Sequence, residues 1–121
     1  MMLKNYYFML AILGGQAFAV TCGESGNAIC GNYADPNSLR EALQEIQALP
    51  QNNMYTDGQC ITEILSPEDS IFCVYYSNTS ASWSVAQTNG FVQQLLNAGC
   101  NACASVSTGV GSGQLIASYF N

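Results

Sequence analysis

Three consecutive pieces set the architecture: Gly99-Cys100-Asn101-Ala102-Cys103, the loop Gly109-Val110-Gly111-Ser112-Gly113, and the run Gln114-Leu115-Ile116-Ala117-Ser118-Tyr119-Phe120. Gly99 follows a helical pattern and supplies the left-handed backbone that ends a helix at low cost. Cys100 to Thr108 then reads as a strand, the glycine-rich loop reverses the chain, and Gln114 to Phe120 returns as the last strand. A helix therefore runs straight into an antiparallel hairpin, with a Cys-x-x-Cys pair at the junction.

Upstream, the helix is expected from Ser84 to Ala98, with Val85, Val92, Leu95 and Leu96 facing inward. Gly90 weakens its middle. Before it lie a polar loop, Ser77 to Ser82, and a strand rich in β-formers, Ser70 to Tyr76. Ser66-Pro67-Glu68-Asp69 is turn chemistry, and Asp57-Gly58 introduces another strand, Gln59 to Leu65. A first helix opens at Asp35-Pro36-Asn37-Ser38, capped either by a Ser38–Glu41 box or by Asp35 with Pro36 in the first turn. Leu39, Ala42, Leu43, Ile46 and Leu49 recur at helical spacing until Pro50. Val20 to Ala34 reads as extended chain with a turn at Glu24 to Asn27. The order β-α-β-β-α-β-β predicts an α+β domain, with two helices packed on one mostly antiparallel sheet.

At the N-terminus Lys4 precedes the apolar run Tyr6 to Leu13, and Ala17-Phe18-Ala19 follows. Basic, apolar and A-x-A regions in that order read as a signal peptide, residues 1–19. The apolar run is too short for a hydrocarbon core that needs about 20 residues. The expected protein is secreted and extracellular, a single domain over residues 20–121, with no stable membrane insertion. That domain holds six cysteines, Cys22, Cys30, Cys60, Cys73, Cys100 and Cys103. An even count behind a signal peptide reads as a disulfide framework, for which the sequence alone permits ~15 pairings.

Once Lys4 is lost, Arg40 stands alone against eight acidic side chains, a balance of −7, and there is no histidine. Nucleic acids and anionic lipids are bound through Lys and Arg, so neither is an expected partner. No nucleophile–base pair is visible, and the commonest general base is missing. The expectation is a non-enzymatic protein without cofactor, catalytic residue or metal site. Cys100-x-x-Cys103 follows a helix instead of opening one, so framework outweighs a redox dithiol. Glu41 with Glu45, and Glu68 with Asp69, fit a solvated surface better than a glycosidase pair. Glu63, Glu68 and Asp69 lack the ligand ladder of a calcium loop. Asn78-Thr79-Ser80 is an acceptor sequon on an expected exposed loop, which makes Asn78 the glycosylation candidate. Tyr75, Tyr76 and Trp83 lie around it and are candidate surface contacts.

Gly99-Cys100-Asn101-Ala102-Cys103, the glycine-rich hairpin, Gly113-Gln114-Leu115-Ile116 and Tyr119 together resemble the killer protein four family. The founding member of that family is a secreted killer toxin encoded by a virus of a smut fungus. The resemblance is best over Gly99 to Tyr119 and looser over the rest. It implies an α/β sandwich with two antiparallel helices on one face of the sheet. It also implies the bridges Cys22–Cys100, Cys30–Cys103 and Cys60–Cys73. The founding toxin is basic, has more cysteines, and uses a lysine in its central strand region for activity linked to calcium uptake. Thr56-Asp57-Gly58-Gln59-Cys60, the similar stretch here, has no basic residue. The resemblance implies either an antifungal toxin or an effector, and the acidic balance favours an effector-like protein that binds an unidentified protein target of a host or competitor; a monomer is expected. A calcium-linked antifungal toxin and a cell-wall carbohydrate-binding module are the alternatives.

Overall fold

The computed structural model describes residues 11–13, 16–23, 30, 35–66 and 70–120. Its centre is a five-stranded sheet in which every neighbouring pair is antiparallel. Strands β1 (Ala11–Leu13) and β2 (Gln16–Phe18) pair with each other inside the segment read as a signal peptide. The sheet itself is built from β3 (Val20–Cys22), β5 (Thr62–Ser66), β6 (Ser70–Ser77), β8 (Ala104–Ser107) and β9 (Gln114–Phe120). Their spatial order is β3-β8-β9-β6-β5. Two short strands, β4 (Met54–Tyr55) and β7 (Trp83–Ser84), pair outside it.

Helix α1 (Ser38–Gln47) follows β3, and α2 (Val85–Asn97) lies between β7 and β8. The start of α1 meets the chain just after α2, where Leu39 N donates to Asn101 O. Its far end meets the start of α2, where Val85 N donates to Asn53 O and Asn89 Nδ2 to Gln51 Oε1. The helices are therefore antiparallel and lie side by side on one face of the sheet.

Strand alternation supplies that face. Phe72, Val74 and Tyr76 of β6 lie opposite Tyr119, Ala117 and Leu115 of β9, and all six are buried. Leu39, Ala42 and Ile46 of α1 and Val85, Val92 and Leu95 of α2 close over them. The hydroxyl groups in this core are satisfied. Tyr76 donates to Thr88 Oγ1 at 2.7 Å, because that hydroxyl in turn donates to Ser84 O. Tyr119 Oη accepts from Asp35 N and sits 2.6 Å from Ser38 Oγ, tying the last strand to the start of α1.

Ser84 forms a full capping box with Gln87, with hydrogen bonds in both directions. The expected Ser38–Glu41 box is absent, because Ser38 lies inside the helix with its hydroxyl against Tyr119. Asp35 instead accepts from Asn37 N through Oδ1 and from Ser38 N through its carbonyl. Leu96 is only half-buried, whereas Thr88, Phe91 and Gln94 are buried. The strands expected over 59–65 and 100–108 are confined to Thr62–Ser66 and Ala104–Ser107. In both cases the cysteine-bearing end is loop, with Cys60 and Cys103 held by bridges in place of the ladder. The turns expected at Glu24 to Asn27 and over Pro67 to Asp69 lie outside the described residues.

Candidate functional site

The second face of the sheet carries the intervening side chains. Ile71, Cys73 and Tyr75 of β6 lie opposite Phe120, Ser118 and Ile116 of β9, and Glu63 and Leu65 of β5 lie opposite Cys73 and Ile71. Neither α1 nor α2 reaches this side, but Cys30 meets it at Ser118 (Sγ–Oγ 3.8 Å), and Ser118 and Cys73 are buried. Leu65 is 85% exposed and Phe120 46%, so this face presents apolar side chains to solvent.

A groove of about 370 Å³ runs across it. Its floor is the Cys60–Cys73 bridge, with Ile71 beside it. One wall holds Gly58 and the Glu63 carboxylate. The other holds Tyr75 and Phe120, whose rings meet edge to face at 5.5 Å. That meeting spans two residue pairs along the strands, because the intervening positions, Cys73 and Ser118, are small. Gly58 has a φ of +79°, and nothing stands within 4 Å of where a Cβ would be, so this wall is open.

A second recess lies at the end of the sheet where loops gather. Asp57, Asn78, Thr79, Trp83, Val110 and Ser112 are among its lining residues. The Asp57 carboxylate accepts from the backbone N–H and the hydroxyl of Thr79. The Thr79 hydroxyl, first, holds Asp57 below the usual carboxylate pKa. Asn78 is exposed with a φ of 64°, and its Nδ2 donates to Ser112 Oγ at 2.7 Å. The sequon asparagine therefore sits on an accessible loop, with its amide nitrogen engaged by a neighbouring turn.

The three aromatic candidates separate. Tyr75 lies on the open face and forms part of the groove wall. Tyr76 is a correction: it is fully buried, stacked on Trp83 at 5.8 Å and edge-on to Phe91. Burial pushes its hydroxyl up to about 12. Adjacent strand residues point to opposite faces, so only one of this pair can reach a partner. Trp83 is half-buried between Tyr76 and Phe91, and its Nε1 is buried without a hydrogen-bond partner among the described residues. Packing accounts for most of its surface. Sequence reasoning missed Phe120, Ile71 and Glu63 as neighbours of Tyr75. The signal was their shared parity on adjacent strands, readable only once the register was known.

The six cysteines are joined as Cys22–Cys100, Cys30–Cys103 and Cys60–Cys73, the pairing that the resemblance implied. Cα separations of 5.2, 5.8 and 5.6 Å lie in the ordinary range for a disulfide. The first two staple the N-terminal segment to the Cys-x-x-Cys turn after α2, and the third crosses the floor of the groove. Among the described residues no cluster of three or more metal-ligating side chains occurs, and no helix is long and apolar enough to cross a membrane.

No curated protein matches this chain. The family model Kp4, killer protein 4, matches residues 7–118, nearly the whole length. With two helices on a mostly antiparallel sheet and three bridges in the implied pairing, the chain belongs to the Kp4 family.

Proposed function

We propose that this Kp4 protein is secreted and acts outside the producing cell by binding a protein target of a host or competitor, without catalysis. The observation that carries this reading is the open sheet face: an apolar groove with an aromatic wall, on a disulfide-stapled domain. Large exposed apolar surface on a small domain marks a site of interaction. Eight acidic side chains against Arg40 favour a target with a basic surface and disfavour polyanions. The bridges and the A-x-A sequence support an oxidising, extracellular destination. Asn78, exposed on its loop, is the position for a glycan if the producing cell attaches one.

Family membership favours a second reading, growth inhibition of competing fungi linked to calcium uptake. Its weak point is Thr56 to Cys60, where no basic residue stands. Two measurements test these readings. Full-length chain expressed in a secreting fungal host should appear in the medium, begin near Val20 and contain no free thiol. Retention in the cell with an uncleaved N-terminus overturns secretion. A panel of fungi is then exposed to the purified, oxidised protein with and without added calcium. Inhibition relieved by calcium moves the assignment to the toxin reading, and no inhibition at high dose leaves target binding in place.

A further inference from the structure

The groove on the open face has a chemical bias as well as an apolar one. Glu63 lies directly across the ladder from Cys73, so its carboxylate rises beside the disulfide floor. Neighbouring strands lie about 4.8 Å apart, which puts the Glu63 backbone within one strand spacing of the floor. Tyr75 and Phe120 stand on the opposite wall with their rings already in contact. Glu63 is exposed, and its side chain has no hydrogen-bond or ion-pair partner among the described residues. A floor of disulfide and Ile71, two aromatic rings and one unpaired carboxylate suit a single kind of guest: a cation on a long apolar stem. Aromatic faces attract ammonium and guanidinium groups, and a facing carboxylate adds its charge to theirs.

The charge of the whole chain agrees. Arg40, the one basic side chain of residues 20–121, is on α1, which packs on the other side of the sheet. No cation of the described domain is therefore placed to occupy the groove from within. A −7 balance also raises the local concentration of basic partners before contact.

We propose that this groove is a binding site for a lysine or arginine side chain displayed by the protein target. The stem lies over Ile71 and the Cys60–Cys73 bridge, and the cationic head sits between the Glu63 carboxylate and the Tyr75 and Phe120 rings. The inference rests on the target-binding reading above and names the chemistry that the target must present.

The test is an NMR titration of ¹⁵N-labelled, oxidised protein with three probes: N-acetyl-lysine amide, N-acetyl-arginine amide, and the lysine probe with its side-chain amine acetylated. The two cationic probes should shift the amides of Gly58, Glu63, Tyr75 and Phe120 with millimolar affinity, and the acetylated probe should not. Glu63→Gln should weaken binding about three- to fivefold, and Phe120→Ala by a similar factor, as expected for exposed ionic and cation–π contacts. Glu41→Gln, on α1, should leave it unchanged. Both groove variants alter exposed side chains, and their amide spectra check that the fold survives. Shifts spread evenly over the surface, or equal losses in Glu63→Gln and Glu41→Gln, would mean general attraction to an acidic protein and overturn the site. Silence at the groove up to tens of millimolar would do the same. None of these outcomes depends on secretion or growth inhibition. A lost groove with an intact target reading, or the reverse, is therefore distinguishable.

Discussion

Two faces of one sheet, drawn from the same strands, are put to opposite uses. On β6, Phe72, Val74 and Tyr76 are sealed beneath the helices, while Ile71 and Tyr75, one residue away, stay partly in water. On β9, Leu115, Ala117 and Tyr119 are buried, while Ile116 and Phe120 are not. Both sets are apolar, yet only one contributes the full transfer free energy of a core. The covered face holds the domain together. The open face keeps apolar surface that folding does not consume and that a partner can bury.

Covalent closure makes the largest contrast. Cys22–Cys100 spans 78 residues, and Cys60–Cys73, beneath the groove, spans 13. In the chain-entropy model, replacing the first pair with alanines costs about 4.5 kcal/mol and replacing the second about 3 kcal/mol. Chemical denaturation of the two variants measures the difference. A larger loss at the short bridge would show that the open face contributes stability of its own and would break the comparison.

The next effect comes from the side chains. Phe72→Ala, at a fully buried position, should lose about 3–5 kcal/mol. Phe120→Ala, nearly half exposed, should lose less than about 1 kcal/mol. Equal losses by urea titration with the bridges intact would mean that Phe120 is core.

The smallest effect tests the adjacent tyrosines at the point where the faces part. Tyr76→Phe removes the hydroxyl bond to Thr88 and should cost about 1 kcal/mol at neutral pH. It should also change the alkaline limb. The Tyr76 hydroxyl titrates at about 12 when folded, above the ~10 of an unfolded tyrosine. Its contribution is therefore whole below pH ~10 and is lost as pH rises from there through about 12. Stability measured across that window should fall more steeply in the parent than in Tyr76→Phe. Parallel curves would place Tyr76 in contact with water.

Much of this architecture was legible. Leu39, Ala42, Leu43 and Ile46 repeat with the period of a helix, and they are the buried stripe of α1. Gly99 ends α2 with a φ of +93°, as a helix-stopping glycine should. Other features carried no local signal. β4 and β7 are two residues long each, too short to show a period. Ser38 looks like a cap in sequence, but Tyr119, 81 residues away, claims its hydroxyl. Gln94 and Thr88 are polar by type and are buried because of what packs over α2.

The sequence by itself determined the two helices, the longer strands and their order, the presence of a cysteine framework and the acidic balance, because periodicity, turn chemistry and charge are local properties. Only the tertiary structure decided which face of the sheet the helices cover. From Ile71 to Tyr76 both alternating sets are apolar or aromatic, so the two-residue period cannot choose between them. That choice turns on where α1 and α2 land. It sends Tyr76 into the core and leaves Tyr75, Phe120 and Glu63 together on the face that remains open.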